Sequence, residues 1–323
     1  MIDVLYLYPP AGRQKKFEQS IGIGYIQAYI KQFGYISKQL QPSLLNVEDI
    51  VNQIIELNPK VVSFTCYDTN YYYVRLLSSE IKRVNKNIII IVGGPTATFN
   101  SKLIMEDCLG VDYCIKGYGE VPTLKLLDFI IKKQGTLLEV EGLVYKSENN
   151  IYENDIIQLP NNIDFLPSPY LSDIQFEPDR KIVFTSRGCI YNCVYCNCSA
   201  MSNKKIFYHS VDRVIEELKY LSEKYPDEYV LIGDDAFSLN IDRAKIICKK
   251  VIENNIKLKL FCETRADKID DELIELLKKA GFIKIDFGLE TASPKVLRNI
   301  KKIFTNTLDT EYQEEKNFID SVN

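Results

Sequence analysis

Short apolar runs alternate with helical stripes through the first 130 residues of the chain. Residues 2–7 form an apolar run that stops at Pro9-Pro10. Ile26, Tyr29, Ile30 and Phe33 recur at helical spacing, which predicts a helix over 21–33 ended by Gly34. Residues 35–40 alternate as a strand does, and Ile50, Val51, Ile54 and Leu57 mark a helix over 47–57. A strand at 60–65, a helix at 70–84 and a fully buried strand at 88–92 follow, the last closed by Gly93-Gly94-Pro95. A short strand at 112–115 and a helix at 121–131 complete the series. Five strands interleaved with helices predict a doubly wound parallel sheet, an α/β Rossmann-like domain over residues 1–140.

From 137 to 180 the rhythm breaks. Residues 143–145 and 151–157 are expected to pair as a hairpin across Glu148-Asn149-Asn150. Pro160, Pro167, Pro169 and Pro178 then stiffen a linker, so residues 141–180 read as hairpin and linker and hold the domain boundary. A second series starts with a strand at 181–185. Ser210 is the expected N-cap of a helix over 211–224, whose Val214, Leu218 and Leu221 share one face. Strands at 229–232, 257–261 and 283–287 alternate with helices at 243–253 and 271–280, and 308–322 is the expected fourth helix. Four strand–helix units predict a partial (βα) barrel over residues 181–323.

Composition narrows the partners. Lysine and arginine total 40 against 44 acidic residues, a net charge of −4, which argues against a duplex nucleic-acid partner. No apolar run approaches the ~20 residues of a membrane helix, and the amino terminus carries no basic-then-apolar leader. The expected setting is the reducing cytoplasm, away from a membrane. Nine cysteines are present and four fall within 189–198, which in that setting suggests metal or catalysis rather than disulfides. Cys66, Cys108, Cys114, Cys248 and Cys262 lie in or beside apolar elements and are expected in the core. His209 is the only histidine, so chemistry needing several imidazoles is excluded within this chain.

The strongest motif is Ser186-Arg187-Gly188-Cys189-Ile190-Tyr191-Asn192-Cys193-Val194-Tyr195-Cys196. Three thiolates from one loop can hold a 4Fe–4S cluster, which usually takes four, and so leave one iron open to a chelating ligand. A structural zinc site or a ferredoxin-type cluster, with Cys198 as fourth ligand, uses the same residues. Only one residue separates Cys196 from Cys198, a tight bite that counts against Cys198. This loop, with Tyr195 directly before its third cysteine and its place after the first strand of the second half, resembles the cluster motif of the radical S-adenosylmethionine enzymes.

That resemblance implies Cys189, Cys193 and Cys196 as cluster ligands, with no further catalytic residue. It implies S-adenosylmethionine chelated to the open iron and cleaved by the reduced cluster to methionine and a 5′-deoxyadenosyl radical. It also implies contacts to S-adenosylmethionine from Gly233, Asp234 and Asp235, from Arg265 in Glu263-Thr264-Arg265, and from Glu290 in Phe287-Gly288-Leu289-Glu290-Thr291-Ala292-Ser293. All follow strands, at the carboxyl ends where barrel sites are built.

The first half, with Pro9-Pro10, Ser63-Phe64-Thr65, Gly93-Gly94-Pro95-Thr96-Ala97 and Ile115-Lys116-Gly117-Tyr118-Gly119-Glu120 in this order, is similar to the cobalamin-binding domain of cobalamin-dependent radical enzymes. Pro10, Ser63, Thr65, Gly93, Gly94, Gly117, Gly119 and Glu120 are the implied cobalamin contacts. The loop Pro9-Pro10-Ala11-Gly12-Arg13 offers cobalt no histidine, unlike that of many cobalamin proteins. The resemblance covers most of residues 1–300. It implies methylation of an unactivated carbon of a small-molecule or peptide substrate, with electrons from a donor such as flavodoxin or ferredoxin. A radical cyclase or rearrangement enzyme of the same branch competes with this reading, as does a truncated, non-catalytic cluster- and corrinoid-binding module. The family's barrel has more units than the four read here, so truncation or a second chain that completes the barrel is expected.

Overall fold

The computed structural model describes residues 2–10, 16–42, 46–148 and 150–302. Contacts divide the chain into two units. One takes in residues up to Ile157 together with Leu166–Asp179; the other takes in Gln158–Phe165 and the chain from Arg180 onward.

The first unit runs β1 (Val4–Leu7), α1 (Ile21–Lys31), β2 (Ser37–Gln39), α2 (Val47–Leu57), β3 (Val61–Thr65), α3 (Tyr71–Val84), β4 (Ile89–Gly93), α4 (Pro95–Asp107), β5 (Tyr113–Ile115), α5 (Glu120–Leu127), β6 (Leu143–Ser147) and β7 (Asn150–Glu153). The sheet order is β2-β1-β3-β4-β5-β6-β7. The first five strands are parallel, and β6 and β7 add an antiparallel hairpin to the β5 edge. Strand residues alternate between two cores. Leu5, Leu7, Val62, Phe64, Ile90 and Val92 pack with α2, α3 and α4. Val4, Tyr6, Val61 and Ile91 pack with α1 and α5 on the other face. This period of two across strands buried on both faces is what a doubly wound sheet requires.

Two features depart from the sequence expectation. Helix α4 carries no clear apolar stripe, because the buried side chains of its first turns are Thr96, Ala97, Thr98 and Ser101 and Asn100 kinks it. The hairpin, assigned to the region between domains, instead continues the first sheet, and the first unit extends to Ile157.

The second unit runs β8 (Lys181–Val183), β9 (Ser186–Arg187), α6 (Cys198–Met201), β10 (Phe207–Tyr208), α7 (Val211–Lys224), β11 (Tyr229–Ile232), α8 (Ile241–Glu253), β12 (Lys259–Thr264), α9 (Asp271–Lys279), β13 (Phe282–Phe287) and α10 (Pro294–Asn299). Strands β8, β11, β12 and β13 lie side by side in that order, all parallel. Ser210 caps α7 by accepting from the Arg213 N–H. The helix expected at 308–322 lies outside the described residues. The antiparallel β9–β10 pair pinches the base of the cysteine loop.

Candidate functional site

The cysteine loop leaves the carboxyl end of β8, and three neighbouring strands send residues to hold it. Asp234, just past β11, is buried and receives four donors. The Thr185 N–H donates to Oδ1 at 2.6 Å and the Ser186 N–H at 3.0 Å; the Thr185 and Ser186 hydroxyls donate to Oδ2 at 2.5 and 2.7 Å. Burial pushes its carboxyl above the usual carboxylate range, against the pull of those donors. Asp235 accepts from the Gly188 N–H at 2.8 Å. Gly188 sits at φ +96°, and a Cβ there would collide with the Lys205 carbonyl oxygen, so glycine is required. A Cβ at Gly233 would press on Ile182 and Phe184 of the strand next door.

Farther along the loop, the Arg265 guanidinium lies 3.8 Å from the centre of the Tyr191 ring. Arg265 is buried and forked by Asp267 at 2.8 and 3.1 Å. Glu290 accepts from the Tyr195 hydroxyl at 3.1 Å and from Lys302 Nζ at 2.7 Å. The Lys302 ammonium holds the Glu290 carboxyl below its usual range. The residues expected to contact S-adenosylmethionine are thus all brought around one loop. In this structure the side chains of Asp234, Asp235, Arg265 and Glu290 are engaged with the loop, and Arg265 and Glu290 also with Asp267 and Lys302.

Cys189, Cys193, Cys196 and Cys198 are reduced and partly exposed, whereas Cys66, Cys108, Cys114, Cys248 and Cys262 are buried. Burial, reinforced by the Asp235 carboxylate, raises both the Cys189 and the Cys198 thiol. Metal uptake at Cys189 therefore displaces a proton. Three accessible soft donors in one glycine-started loop are the donor set an iron–sulfur cluster takes, although among the described residues no three side chains converge as ligands of a single metal ion.

In the first unit, β1 lies between β2 and β3, so the chain reverses its winding there. That switch point is where open α/β sheets bind ligands. Pro10 follows β1, and Ser63 and Thr65 lie on the α1/α5 face of β3, since Val61 packs there and side chains alternate. Ser63 is in register with Tyr6, and Thr65 with Gly93. Tyr6 is 2% exposed and its hydroxyl finds no partner among the described residues. A Cβ built on Gly93 would approach nothing closer than 4.0 Å. An orphaned buried hydroxyl in register with Ser63, together with open space at Gly93 next to Thr65, fits a ligand with polar groups.

Gly94, at φ +94°, turns β4 into α4, where a Cβ would meet the Cys66 carbonyl oxygen at 2.9 Å. The Gly117 N–H donates to Thr98 Oγ1 at 3.0 Å. Gly119 lets α5 approach α1, since a Cβ would meet Ile26 at 2.9 Å, and Glu120 is buried in the first turn of α5. Asn70 has no signature in the sequence, yet it stitches this edge. Its Nδ2 donates to the Pro9 and Thr65 carbonyls at 3.0 and 3.2 Å, and its Oδ1 accepts from the Tyr67 N–H at 2.8 Å. Thr98 is equally silent in the sequence and ties the turn after β4 to the turn after β5.

His209 lies in the second unit, 1% exposed, with Nδ1 3.2 Å from Asp164 Oδ1. Burial, helped by the Arg213 and Arg187 charges, pushes its pKa down to about 3. Between pH 6.5 and 3 the unfolded chain binds a proton that the folded chain refuses. Stability is therefore expected to fall as pH drops through that window, by at most about 1.4 kcal/mol per pH unit. Denaturant unfolding across that range checks this, and His209→Gln should flatten the dependence.

These two α/β sheets, one doubly wound and one built of four parallel strand–helix units around a cysteine loop, define a two-domain architecture with sites at the carboxyl edges. Residues 183–309 match the radical SAM superfamily and residues 14–127 match the B12 binding domain. The chain thus carries a radical SAM domain behind a B12 binding domain. It is 30% identical over 267 residues to an uncharacterized methyltransferase of Pyrococcus horikoshii, a match over 81% of this chain and 58% of the relative. It is 23% identical to the hopanoid C-3 methylase of Methylococcus capsulatus, over 88% of this chain and 56% of that one. Thus it spans little more than half the length of these relatives. The fold superposes on the radical S-adenosylmethionine methyltransferase TsrM of Kitasatospora setae with a TM-score of 0.80 at 16% identity, covering 99% of this chain and 67% of that one. That structure contains cobalamin and a 4Fe–4S cluster. Among the described residues, no helix is long and apolar enough to cross a membrane.

Proposed function

We propose that this chain acts in cobalamin-dependent radical S-adenosylmethionine chemistry, as a methyltransferase toward an unactivated carbon of a small-molecule or peptide substrate. The observation that carries this reading is the placement of Cys189, Cys193 and Cys196 on one loop at the carboxyl ends of parallel strands, behind a B12 binding domain. Cys189, Cys193 and Cys196 would hold the cluster; Tyr6, Ser63, Thr65, Gly93 and Gly94 would line the corrinoid site. Bound there, the cofactors supply the radical and the methyl group. The chain supplies position: Asp234 and Asp235 fix the loop's entry, and Arg265 fixes Tyr191. An electron donor such as flavodoxin or ferredoxin would reduce the cluster. The names of two relatives and of TsrM support methyl transfer, while relatives of 22–23% identity named as anaerobic magnesium-protoporphyrin IX monomethyl ester cyclases keep cyclisation as the second reading.

The test is anaerobic reconstitution of the full chain with iron, sulfide and cobalamin, followed by S-adenosylmethionine and a strong reductant. The expected result is 5′-deoxyadenosine with methionine from one S-adenosylmethionine, and methylated corrinoid with S-adenosylhomocysteine from a second, the methyl passing to the reduced corrinoid. Formation of 5′-deoxyadenosine without methyl transfer would move the reading to cyclase or rearrangement chemistry. A loaded chain that leaves S-adenosylmethionine intact would be a binding module. The first unit has no histidine, so the bound cob(II)alamin spectrum should show no nitrogen coupling from a protein imidazole.

A further inference from the structure

We propose that Glu290, braced by Lys302, is a positioning residue of the cysteine loop: it holds the Tyr195 hydroxyl and, through it, the chain between Cys193 and Cys196. The inference rests on the reading of that loop as the cluster site. Four observations carry it. First, Tyr195 stands between two of the three candidate ligands, so whatever fixes its ring fixes the backbone that presents both thiols. Second, one oxygen of Glu290 takes both the Tyr195 hydroxyl, at 3.1 Å, and Lys302 Nζ, at 2.7 Å. Lys302 is 6% exposed, so a buried ammonium pairs with the exposed Glu290 carboxylate without any ligand. Third, the backbone is shaped for the contact. Glu290 is in the left-handed region at φ +62°, which a glutamate adopts at a cost, and a Cβ at Gly288 would strike Lys302 Nζ at 2.7 Å. Fourth, the Val194 N–H donates to the Ile300 carbonyl at 3.0 Å, so the same arm is held by backbone from the segment that carries Lys302.

Arg265 grips Tyr191 from the end of β12, and Glu290 grips Tyr195 from the end of β13. The two ties fall on either side of Cys193. A ligand-binding loop held at both flanks keeps its donor in place before the metal arrives, which is the condition for fast assembly and slow loss.

The experiment compares the reconstituted full chain with Tyr195→Phe, Glu290→Gln, the double variant, Lys302→Met and Lys302→Arg. Three quantities are read without S-adenosylmethionine: iron released to a ferrous chelator with time, the electron paramagnetic resonance spectrum of the reduced cluster, and the melting temperature. Expected are full initial iron, release about five-fold faster in Tyr195→Phe, Glu290→Gln and Lys302→Met, the size that follows from losing one hydrogen bond of ordinary strength, and a shifted cluster spectrum. The double variant should be no worse than either single one, and Lys302→Arg should restore the native rate. Variants with native release and native spectra would overturn the inference. So would a lowered melting temperature with an unchanged spectrum, because that marks a merely structural contact. An effect of Glu290→Gln seen only after S-adenosylmethionine is added would also overturn it, in favour of a direct ligand contact. A wild-type chain that assembles no cluster would instead bring down the cluster reading itself.

Discussion

Replacing Cys189, Cys193 and Cys196 together by alanine abolishes the broad visible absorbance of the reconstituted cluster, while Cys198→Ala leaves it nearly intact. The four thiols share one loop and similar exposure, so exposure does not separate them. Spacing does. Cys198 opens the short helix α6 only one residue past Cys196, a tight bite for two ligands of one cluster. Iron and sulfide quantification alongside the spectra checks the result. Loss of the cluster in Cys198→Ala would mean a four-cysteine site, and with it no open iron.

Asp234→Ala is expected to destabilise the second unit by about 4 kcal/mol, among the largest effects of any single polar substitution here. Removing the carboxylate strands two backbone N–H groups and two hydroxyls that are buried around it. Asp234→Asn should cost about half as much, since one oxygen becomes an amide donor aimed at donors. Chemical denaturation of the apo chain measures both without reference to any cofactor. A loss below about 1 kcal/mol for Asp234→Ala would show that the loop's entry is held by something else.

Most strands and helices were legible because their apolar positions recur with period two or with helical spacing. The runs at 60–65 and 88–92 became β3 and β4, and the stripe of Val214, Leu218 and Leu221 became the buried face of α7. Helix α4 was not legible, since threonine and serine write its buried face and those residues also mark turns. That four cysteines share one loop was legible from their spacing. The roles of Asp234, Arg265 and Glu290 were not, because a motif shows that a carboxylate or guanidinium follows a strand but not which partner it meets. Asp234 meets two residues 48 and 49 positions earlier, and Glu290 meets one 95 positions earlier. Asn70 had no motif at all; its partners are carbonyls, which every residue type carries.

The assignment of 158–165 and 166–179 to opposite units has a practical consequence for anyone wishing to dissect the gene. Ile163 and Tyr208 share a backbone hydrogen bond, and Asp164 accepts from the Ser210 N–H, so the earlier stretch is built into the second unit. The later stretch returns to the first, where the Phe176 ring and Pro169 sit against Gly24 of α1 and Glu177 donates to Gln19. The polypeptide therefore crosses over and back before finally leaving, and no single cut yields two intact halves. A fragment ending at 157 would leave α1 with an uncovered groove at Gly24, and one beginning at 180 would lose the acceptor for Ser210 and His209. Clean separation calls for a circularly permuted gene or for complementing fragments that restore the exchanged stretches.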